Sequence, residues 1–417
     1  MKKRILALSL AAAMVIGALA SCTKQETVVS SAVEARDVSL TLWGAEADLD
    51  FLKEVSSDFA KTYADEHDDV KSVTVDVKIV GENDSSKEAL KDINAAADVF
   101  GVPGDQTAQL ADAKAIYAMP EDVVKEIKDL VGDSTAAKAF YNGNYYGFPY
   151  SPNTACALYY NKTLFTEDEV KDLNVMLEKD LGDTKAIGVD SNAFLSSCWI
   201  LTAGGELYTN SNRDYCTFDS DECVEMMKFV QKNAGKMYKG STEDAVGLLK
   251  DGKLAAWFDG SWNASKVVGA LGDNVAVTVL PKVKVNDKEY QMTCFGGVKY
   301  YAVNAASKEP EVAIALAQYL SSADVQLKKY EAKQAMNPPQ LAIPTALSLI
   351  ENDTIKSNPA IAAYMKQGEM IVVQEPVIPQ DWWGDFGALY SDIFDGKISA
   401  DNIKAEITKH IESWKTM

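Results

Sequence analysis

Histidine is almost absent from this sequence, which has only His67 and His410 in 417 residues. A zinc or iron site built from histidine is therefore not expected. Cysteine is scarce too, and five thiols lie beyond residue 22: Cys156, Cys198, Cys216, Cys223 and Cys294. Their number is odd and none has CxxC spacing, so at least one is free and a disulfide scaffold is not expected. We predict no need for a metal ion or a cofactor.

Positive charge is also in deficit, with 41 Lys and Arg against 61 Asp and Glu and a net charge of −20. Such a surface has no basic surplus to neutralise phosphates, which argues against nucleic acid as a partner. The GxSxG, HExxH, Walker and GxGxxG motifs are missing as well. Most of the acids are explained as solvated helix faces, and we predict a protein that binds rather than an enzyme.

The chain begins with a basic start at 2–4, an apolar run at 5–19 and then LASC at 19–22. That run is too short to cross a bilayer and is typical of a secretory signal. LASC resembles the lipobox of bacterial lipoproteins, in which cleavage leaves the cysteine as a lipidated N-terminus. We predict a signal peptide at 1–21, a lipidated tether at 22–37 and an anchor through Cys22 on the outer face of the cell membrane. The alternative is an ordinary secreted protein in which Cys22 is incidental.

Removing 21 of the 417 residues leaves 396, too many for one ordinary core, which suggests two lobes. Alternating segments at 38–44 and 73–79 are separated by helical spacing, and this pattern predicts an α/β fold with a parallel sheet covered on both faces. Ligands bind outside the carboxyl ends of such strands, so the loops at 43–46 and 103–106 are candidate lining segments. From about 164 to 250 the pattern predicts mostly helix.

Several aromatic residues lie beside turn residues instead of inside periodic stretches. Trp382 and Trp383 occur in PVIPQDWWGDFG, Trp262 in DGSWN and Trp43 before a glycine. Loop aromatics at strand ends often face a cleft, where a ring can stack on the apolar face of a sugar. The prolines and glycines around the tryptophan pair predict a short, poorly helical segment at a cleft rim. For Trp43, burial in the core is at least as good an interpretation.

These stretches, taken in order, resemble the extracellular solute-binding proteins of carbohydrate ABC transporters, and within them the maltose and maltodextrin-binding proteins. The resemblance rests on LTLW at 40–43, YNG at 141–143, GFPY at 147–150, LYYNK at 158–162, DGSW at 259–262, TVLP at 278–281, VNAAS at 303–307 and IPQ at 378–380. It covers nearly all of the mature chain, and the ordered set carries it, not any single motif.

The resemblance implies a two-lobed fold like that of the periplasmic binding proteins. Each lobe would be a mixed, mostly parallel sheet flanked by helices, with hinge crossovers near 150–154, 297–301 and 343–349. The N-terminal lobe would comprise 38–151 and 301–345, and the C-terminal lobe 152–300 and 346–417. A monomer would close its lobes on an oligosaccharide and then dock on the permease subunits of an ABC transporter.

Carried over residue by residue, the resemblance makes Trp262 and either Trp383 or Trp382 stacking platforms, with Trp383 favoured for the sugar. Phe194 stands where the family has a tyrosine platform, and Asn192 where it has an acid. Asp105 matches an aspartate that holds sugar hydroxyls, and Gln106 replaces an arginine. The remaining candidates for ligand binding are Trp43, Glu46, Asn153 (or Thr154) and Asp259.

The family's tryptophan before that aspartate is replaced by FGVP at 100–103. This departure leaves the sugar class unchanged but weakens the match to one particular sugar. An α-glucan of the maltodextrin type is the first choice of ligand, with xylo-, galacto- or fructo-oligosaccharides behind it. Two other classes stay open: a secreted glycoside hydrolase, with two carboxyl groups across a cleft, and a surface adhesin with a flat aromatic face.

Overall fold

The computed structural model describes residues 35–153, 156–337 and 339–417, with Asn153 and Asn210 described by their backbone alone. The predicted signal peptide, Cys22 and nearly all of the predicted tether lie outside these residues and stay predictions.

Six strands form the first sheet, in the order β15-β14-β3-β1-β2, with β6 also paired to β14. β1, β2 and β3 are parallel, as predicted from strands separated by helices, whereas β14 runs antiparallel to β3 and to β6. The strands are β1 (Arg36–Gly44), β2 (Val70–Ile79), β3 (Val99–Pro103), β6 (Phe148–Asn153), β14 (Phe295–Val303) and β15 (Val372–Val373).

Five strands form the second sheet, in the order β11-β7-β10-β8-β9. They are β7 (Cys156–Asn161), β8 (Ile187–Asp190), β9 (Met237–Gly240), β10 (Ala256–Gly260) and β11 (Val275–Thr278). β8 and β9 have four residues each and lie inside the stretch predicted to be mostly helix. That prediction was wrong for these two strands because four residues are too few to separate the strand period from the helix period.

Two small hairpins complete the strands. β4 (Phe140–Tyr141) pairs with β5 (Asn144–Tyr145), and β12 (Lys282–Val285) with β13 (Lys288–Gln291). The first has a tight two-residue turn in YNGN, with positive φ at Asn142 and Gly143.

The helices flank both sheets. In chain order they are α1 (Leu49–Glu66), α2 (Glu82–Lys91), α3 (Thr107–Asp112), α4 (Glu121–Val131), α5 (Asp133–Ala136), α6 (Leu173–Glu178), α7 (Ala193–Ser196), α8 (Cys198–Thr202), α9 (Asp221–Asn233), α10 (Thr242–Lys250), α11 (Ala264–Leu271), α12 (Pro310–Ser321), α13 (Ala323–Gln334), α14 (Leu347–Ile350), α15 (Asp353–Lys356), α16 (Pro359–Gly368), α17 (Gln380–Phe394) and α18 (Ile403–Trp414).

α17 corrects the interpretation of the tryptophan pair. The segment is the first turn of a 15-residue helix, not a poorly helical rim. Pro379 occupies the N-cap, where a missing N–H has no consequence, and the buried side chains recur at helical spacing: Trp382, Phe386, Leu389, Tyr390 and Ile393. Packing of that face outweighs the low helix propensity of the two glycines.

β14 connects the hydrophobic clusters of the two sheets. Phe295 at its start packs in the core of the second sheet, while Tyr300 and Tyr301 pack in the cores of the first. One continuous strand therefore passes between the two halves, so residues near its middle are positioned to face both. The lobe boundaries predicted from sequence stay a prediction.

Candidate functional site

Three aromatic side chains from the part of the molecule built around the second sheet line one cavity of about 500 Å³, called here the aromatic cavity. Trp262 follows β10, Phe194 lies in α7 and Trp383 in α17. The ring centroids of Phe194 and Trp262 are 5.7 Å apart, and those of Phe194 and Trp383 are 6.3 Å apart. The three rings form one wall with apolar faces of the size that a sugar ring covers.

Trp262 is 48% exposed although its ring is large and apolar, so one face is free for a ligand. The glycine before it explains the position of the ring. A Cβ at Gly260 would lie 2.1 Å from the Trp262 ring carbons, so a larger residue would displace the indole. The DGSW sequence thus places the ring locally.

Polar groups from the first half face this aromatic wall. A short 3-10 helix, Gly104–Gln106, directly follows β3 and brings Asp105 and Gln106 into the cavity lining beside Asn83. Asp105 Oδ1 and Gln106 Oε1 are buried and have no hydrogen-bond partner among the described residues. Burial raises the pKa of Asp105 to about 6. Both residues line the cavity, and buried polar groups normally have partners, so the missing hydrogen bonds leave Asp105 and Gln106 able to take ligand hydroxyls after a small rearrangement.

A second cavity of about 390 Å³, the charged cavity, adjoins the first and shares Trp262 and Lys299 with it. Lys299 projects from the middle of β14, with its ammonium 3.6 Å from a Glu82 carboxylate oxygen. Tyr150 donates its hydroxyl to the other Glu82 oxygen at 3.0 Å, and its ring stacks on Tyr301 with centroids 4.1 Å apart. This network holds a cation and an anion where the two cavities meet.

The far side of the charged cavity is fixed by a buried ion cluster. Asp48 accepts from Lys329 at 2.6 Å and lies 2.8 Å from Lys333. Burial by itself would raise the pKa of Asp48, but the two ammonium groups outweigh it and lower the pKa to about 2. The cluster ties the loop after β1 to α13.

Similarity to known proteins identifies the family of the chain. Residues 58–363, about three quarters of the chain, match the family model described as bacterial extracellular solute-binding protein. The chain belongs to this family. The match confirms the predicted membership and the extracytoplasmic location.

Three relatives illustrate the likeness of this solute-binding protein. A galactooligosaccharide-binding protein of Bacillus subtilis (strain 168) is 26% identical over 84% of this chain and 82% of its own. The structure of a maltodextrin binding protein from L. casei BL23 superposes with a TM-score of 0.78 at 25% identity, over 90% of this chain and 98% of its own. The maltose-maltodextrin binding protein of Alicyclobacillus acidocaldarius gives 0.71 at 22%, over 90% and 100%. The predicted α/β fold class is thereby confirmed.

Six of the residues predicted for the solute site line the aromatic cavity. They are Asp105, Gln106, Asn192, Phe194, Trp262 and Trp383. Asn192 also caps α7, since its side chain accepts from the Leu195 N–H at 3.0 Å. A third, more open cavity of about 590 Å³ continues past Trp383 and shares Asn192 and Phe194, so the lining extends along α17.

Trp382 does not belong to the site. It is fully buried and stacks on Phe386, with ring centroids 5.0 Å apart, and it packs edge-on against Trp414. Adjacent helical side chains diverge by about 100°, so only Trp383 can face the cavity. The prediction of Trp382 as a ligand residue is therefore wrong.

The prediction that Asp259 binds ligand is wrong as well, because its carboxylate is fully buried and accepts its hydrogen bonds from within the protein. It accepts from the Trp257 indole at 2.9 Å, from Thr242 at 2.8 Å and from its neighbour's Gly260 N–H at 2.7 Å. These bonds fix the end of β10 and the turn that carries Trp262, so Asp259 supports the site without lining it.

The loop after β1 lines the charged cavity, but with other residues than predicted. Ala45, Ala47 and Asp48 contribute, whereas Glu46 is exposed to solvent and Trp43 packs on Phe100 with ring centroids 5.8 Å apart. Trp43 is corrected as a ligand residue because it packs against the core of the first sheet. Glu46 lines neither cavity, and its role in ligand binding stays a prediction. Asn153 ends β6 and pairs with Gly297 through the backbone, and its side chain lies outside the described residues, as does Thr154.

Sequence reasoning missed Lys299, Glu82, Asn83, Gln374 and Gln380 as lining residues. One signal was available in the sequence. Lys299 is the single charged residue of the otherwise uncharged and largely buried β14, and a charged residue in such a strand usually has a structural or functional role. Glu82, Asn83 and Gln380 lie at the starts of helices and Gln374 directly follows β15, and nothing in their spacing marks them.

Within the described ranges, no group of three or more His, Cys, Asp or Glu side chains is placed to hold a metal ion. The five described cysteines are all unpaired. In the same part of the chain, no helix combines the length and the apolar character needed to cross a bilayer.

Proposed function

We propose that this protein is the receptor of an ABC importer and captures an oligosaccharide, with an α-glucan of the maltodextrin type as first choice. The observation that supports the proposal is one cavity lined both by the aromatic wall of Phe194, Trp262 and Trp383 and by the polar residues Asp105 and Gln106. Rings stack on the apolar faces of sugars, while each hydroxyl hydrogen bond adds only about 1 kcal/mol net, so several must converge.

A galacto-oligosaccharide is the second candidate. The B. subtilis relative bears that specificity in its name at 26% identity, and the maltodextrin-binding neighbour is no more similar at 25%. The lining is compatible with either sugar because aromatic rings stack on the apolar face of any sugar ring. The linkage between sugars would be distinguished by hydrogen bonds from the polar side chains around the wall.

The mechanism we propose is lobe closure. The N-terminal lobe (38–151 and 301–345) supplies Asp105 and Gln106, and the C-terminal lobe (152–300 and 346–417) supplies the rings and further polar groups such as Asn192. Sugar that contacts both lobes stabilises the closed arrangement, which shifts the population toward it. The closed form would then dock on the permease. No step in this mechanism requires turnover, so the protein would be a receptor and not an enzyme.

The proposed anchor is a lipid on Cys22, which would keep the receptor at the outer face of the membrane. Cys22→Ser is expected to abolish incorporation of labelled fatty acid and to release the protein into the medium. Retention of the variant in the membrane fraction would contradict the anchor and leave the sugar-binding proposal intact.

The experiment that tests the ligand is a thermal-shift screen of residues 37–417 against malto-, xylo-, galacto- and fructo-oligosaccharides. A ligand at 100 times its Kd adds about 2.7 kcal/mol to the free energy of unfolding, which gives a clear shift in Tm. We expect the largest shift with maltotriose. A shift with galacto-oligosaccharide alone would transfer the proposal to the second candidate, and shorter products after incubation would favour a hydrolase.

A further inference from the structure

A cavity of about 380 Å³ lies outside the sugar site and is called here the Lys138 cavity. Val298 of β14 and Pro152 of β6 line it from one side, and Ile371 lines it as well. Ile343 and Pro344 line this cavity and also the charged cavity that adjoins Trp262. One short segment therefore separates the two spaces.

Lys138 gives this cavity its chemical character. Aliphatic side chains and prolines line the cavity together with polar residues such as Thr135, Thr345 and Tyr364. Lys138 is partly buried there without a hydrogen-bond or ion-pair partner among the described residues. Burial lowers the pKa of its ammonium, as expected for a cation with no counter-charge. Glu369 is exposed at the same cavity and makes no ion pair with Lys138.

We propose that the Lys138 cavity binds a small amphiphilic carboxylate, whose anionic head pairs with Lys138 while its apolar chain packs beside Val298 and Ile343. Charge complementarity selects the head, because an unpaired ammonium in a partly apolar space gains a charge-assisted hydrogen bond. The cavity volume of about 380 Å³ lies at the small end of ligand pockets and is large enough for an eight-carbon acid.

Binding of a carboxylate in the Lys138 cavity would also change the affinity of the sugar site. Ile343 and Pro344 line the Lys138 cavity and the charged cavity, and the charged cavity shares Trp262 with the aromatic cavity, so a ligand packed on Ile343 biases the arrangement next to Trp262. Linkage then requires the carboxylate and the sugar to change each other's affinity by the same factor. This second part rests on the proposed sugar-binding function, whereas carboxylate binding itself does not.

The first test is isothermal titration of the mature protein with sodium octanoate at pH 7. We expect one site per chain, and at least about tenfold weaker binding of 1-octanol, which has the same chain without the charge. Lys138→Met should lose octanoate binding by a similar factor, and Lys138→Arg should retain it. Lys87→Met, at an exposed position outside the cavity, is the matched control and should bind as the wild type does.

Equal binding of octanoate and octanol by the wild type would overturn the proposal, and this comparison needs no variant to fold. Absence of octanoate binding at millimolar concentration, or undiminished binding by folded Lys138→Met, would also overturn it. Complete competition between octanoate and sugar would place the acid in the sugar site instead.

The second test repeats the sugar titration with octanoate at saturation. We expect the sugar Kd to change by at least about threefold, with the reciprocal change in the octanoate Kd. An unchanged sugar Kd with octanoate bound would overturn the coupling. If no oligosaccharide binds at all, the proposed function fails. The comparison of octanoate with octanol still tests whether the Lys138 cavity binds a carboxylate.

Discussion

Trp382 and Trp383 are neighbours in sequence with opposite environments. Trp382 is fully buried among Phe386, Trp414 and Phe218, whereas Trp383 lies at the cavity wall, 6.3 Å from the Phe194 ring. The helix determines this division, since its rotation turns one ring inward and the next outward. The pair therefore offers two substitutions of the same residue type with different expected effects.

We expect Trp383→Ala to weaken sugar binding by about 1–3 kcal/mol, or about 5- to 150-fold in Kd, because a stacking platform is removed. Trp382→Ala should instead lower the free energy of unfolding by about 3–5 kcal/mol through the cavity it leaves. Calorimetric titration and denaturant unfolding of both variants measure the two effects. Equal sugar affinities of wild type and Trp383→Ala would remove Trp383 from the site.

Asp105 predicts a pH dependence of stability in the absence of sugar. Its pKa is raised by burial from 3.8 to about 6, so the folded state binds the proton more tightly than the unfolded state does. Its contribution to the free energy of unfolding therefore falls as pH rises from about 4 to about 6.

We expect Asp105→Asn to be more stable than wild type above pH 6 by about 1–3 kcal/mol, and equally stable near pH 4. Urea unfolding at a series of pH values checks this. Asp273→Asn, at an exposed carboxylate, is the control and should show no such divergence. A constant difference between wild type and Asp105→Asn across the range would contradict the raised pKa.

At the scale of elements, α17 shows how packing overrides local preference. Gly384 is exposed in its first half, and a Cβ there would meet no atom within 4 Å. Gly387 is closer to its surroundings, because its Cβ would lie 3.4 Å from the Ser191 carbonyl oxygen. The first glycine therefore lowers helix stability without a steric need, and the second serves the contact with α7.

Gly384→Ala is expected to raise the free energy of unfolding by about 0.5–1 kcal/mol, since alanine loses less backbone entropy in a helix. Gly387→Ala should give a smaller gain or a loss, because the methyl group presses on backbone. Thermal or urea unfolding compares the two variants. A larger gain at 387 than at 384 would show that α17 and α7 are not in contact in solution as described.

For the whole molecule, the passage of β14 between two cores predicts a change of shape on binding. We expect the radius of gyration from small-angle X-ray scattering to fall when the oligosaccharide with the largest thermal shift is added at saturation, because closure brings the lobes together. Trp262→Ala at the same sugar concentration should stay closer to the sugar-free value. An unchanged radius with sugar bound would exclude closure.

Much of the fold could be predicted from the sequence because its signals are local. The alternation in β1 and β2, the turn in YNGN and the proline at the start of α12 each depend on a few neighbouring residues. The β8 and β9 strands escaped prediction because four residues carry too little periodicity. The order of strands in each sheet depends on pairings between distant segments, which no local pattern contains.

The sequence by itself determined the class of protein and which residue types could meet a sugar: a scarcity of histidine and basic charge, the ordered motifs, and aromatics near strand ends. Only the tertiary structure decided which of them do. It turned Trp383 outward and Trp382 inward, satisfied Asp259 internally, and brought Lys299 and Glu82 together from segments more than 200 residues apart. A side chain's neighbours across the fold are set by packing and chain topology, and burial and hydrogen bonding follow from those neighbours.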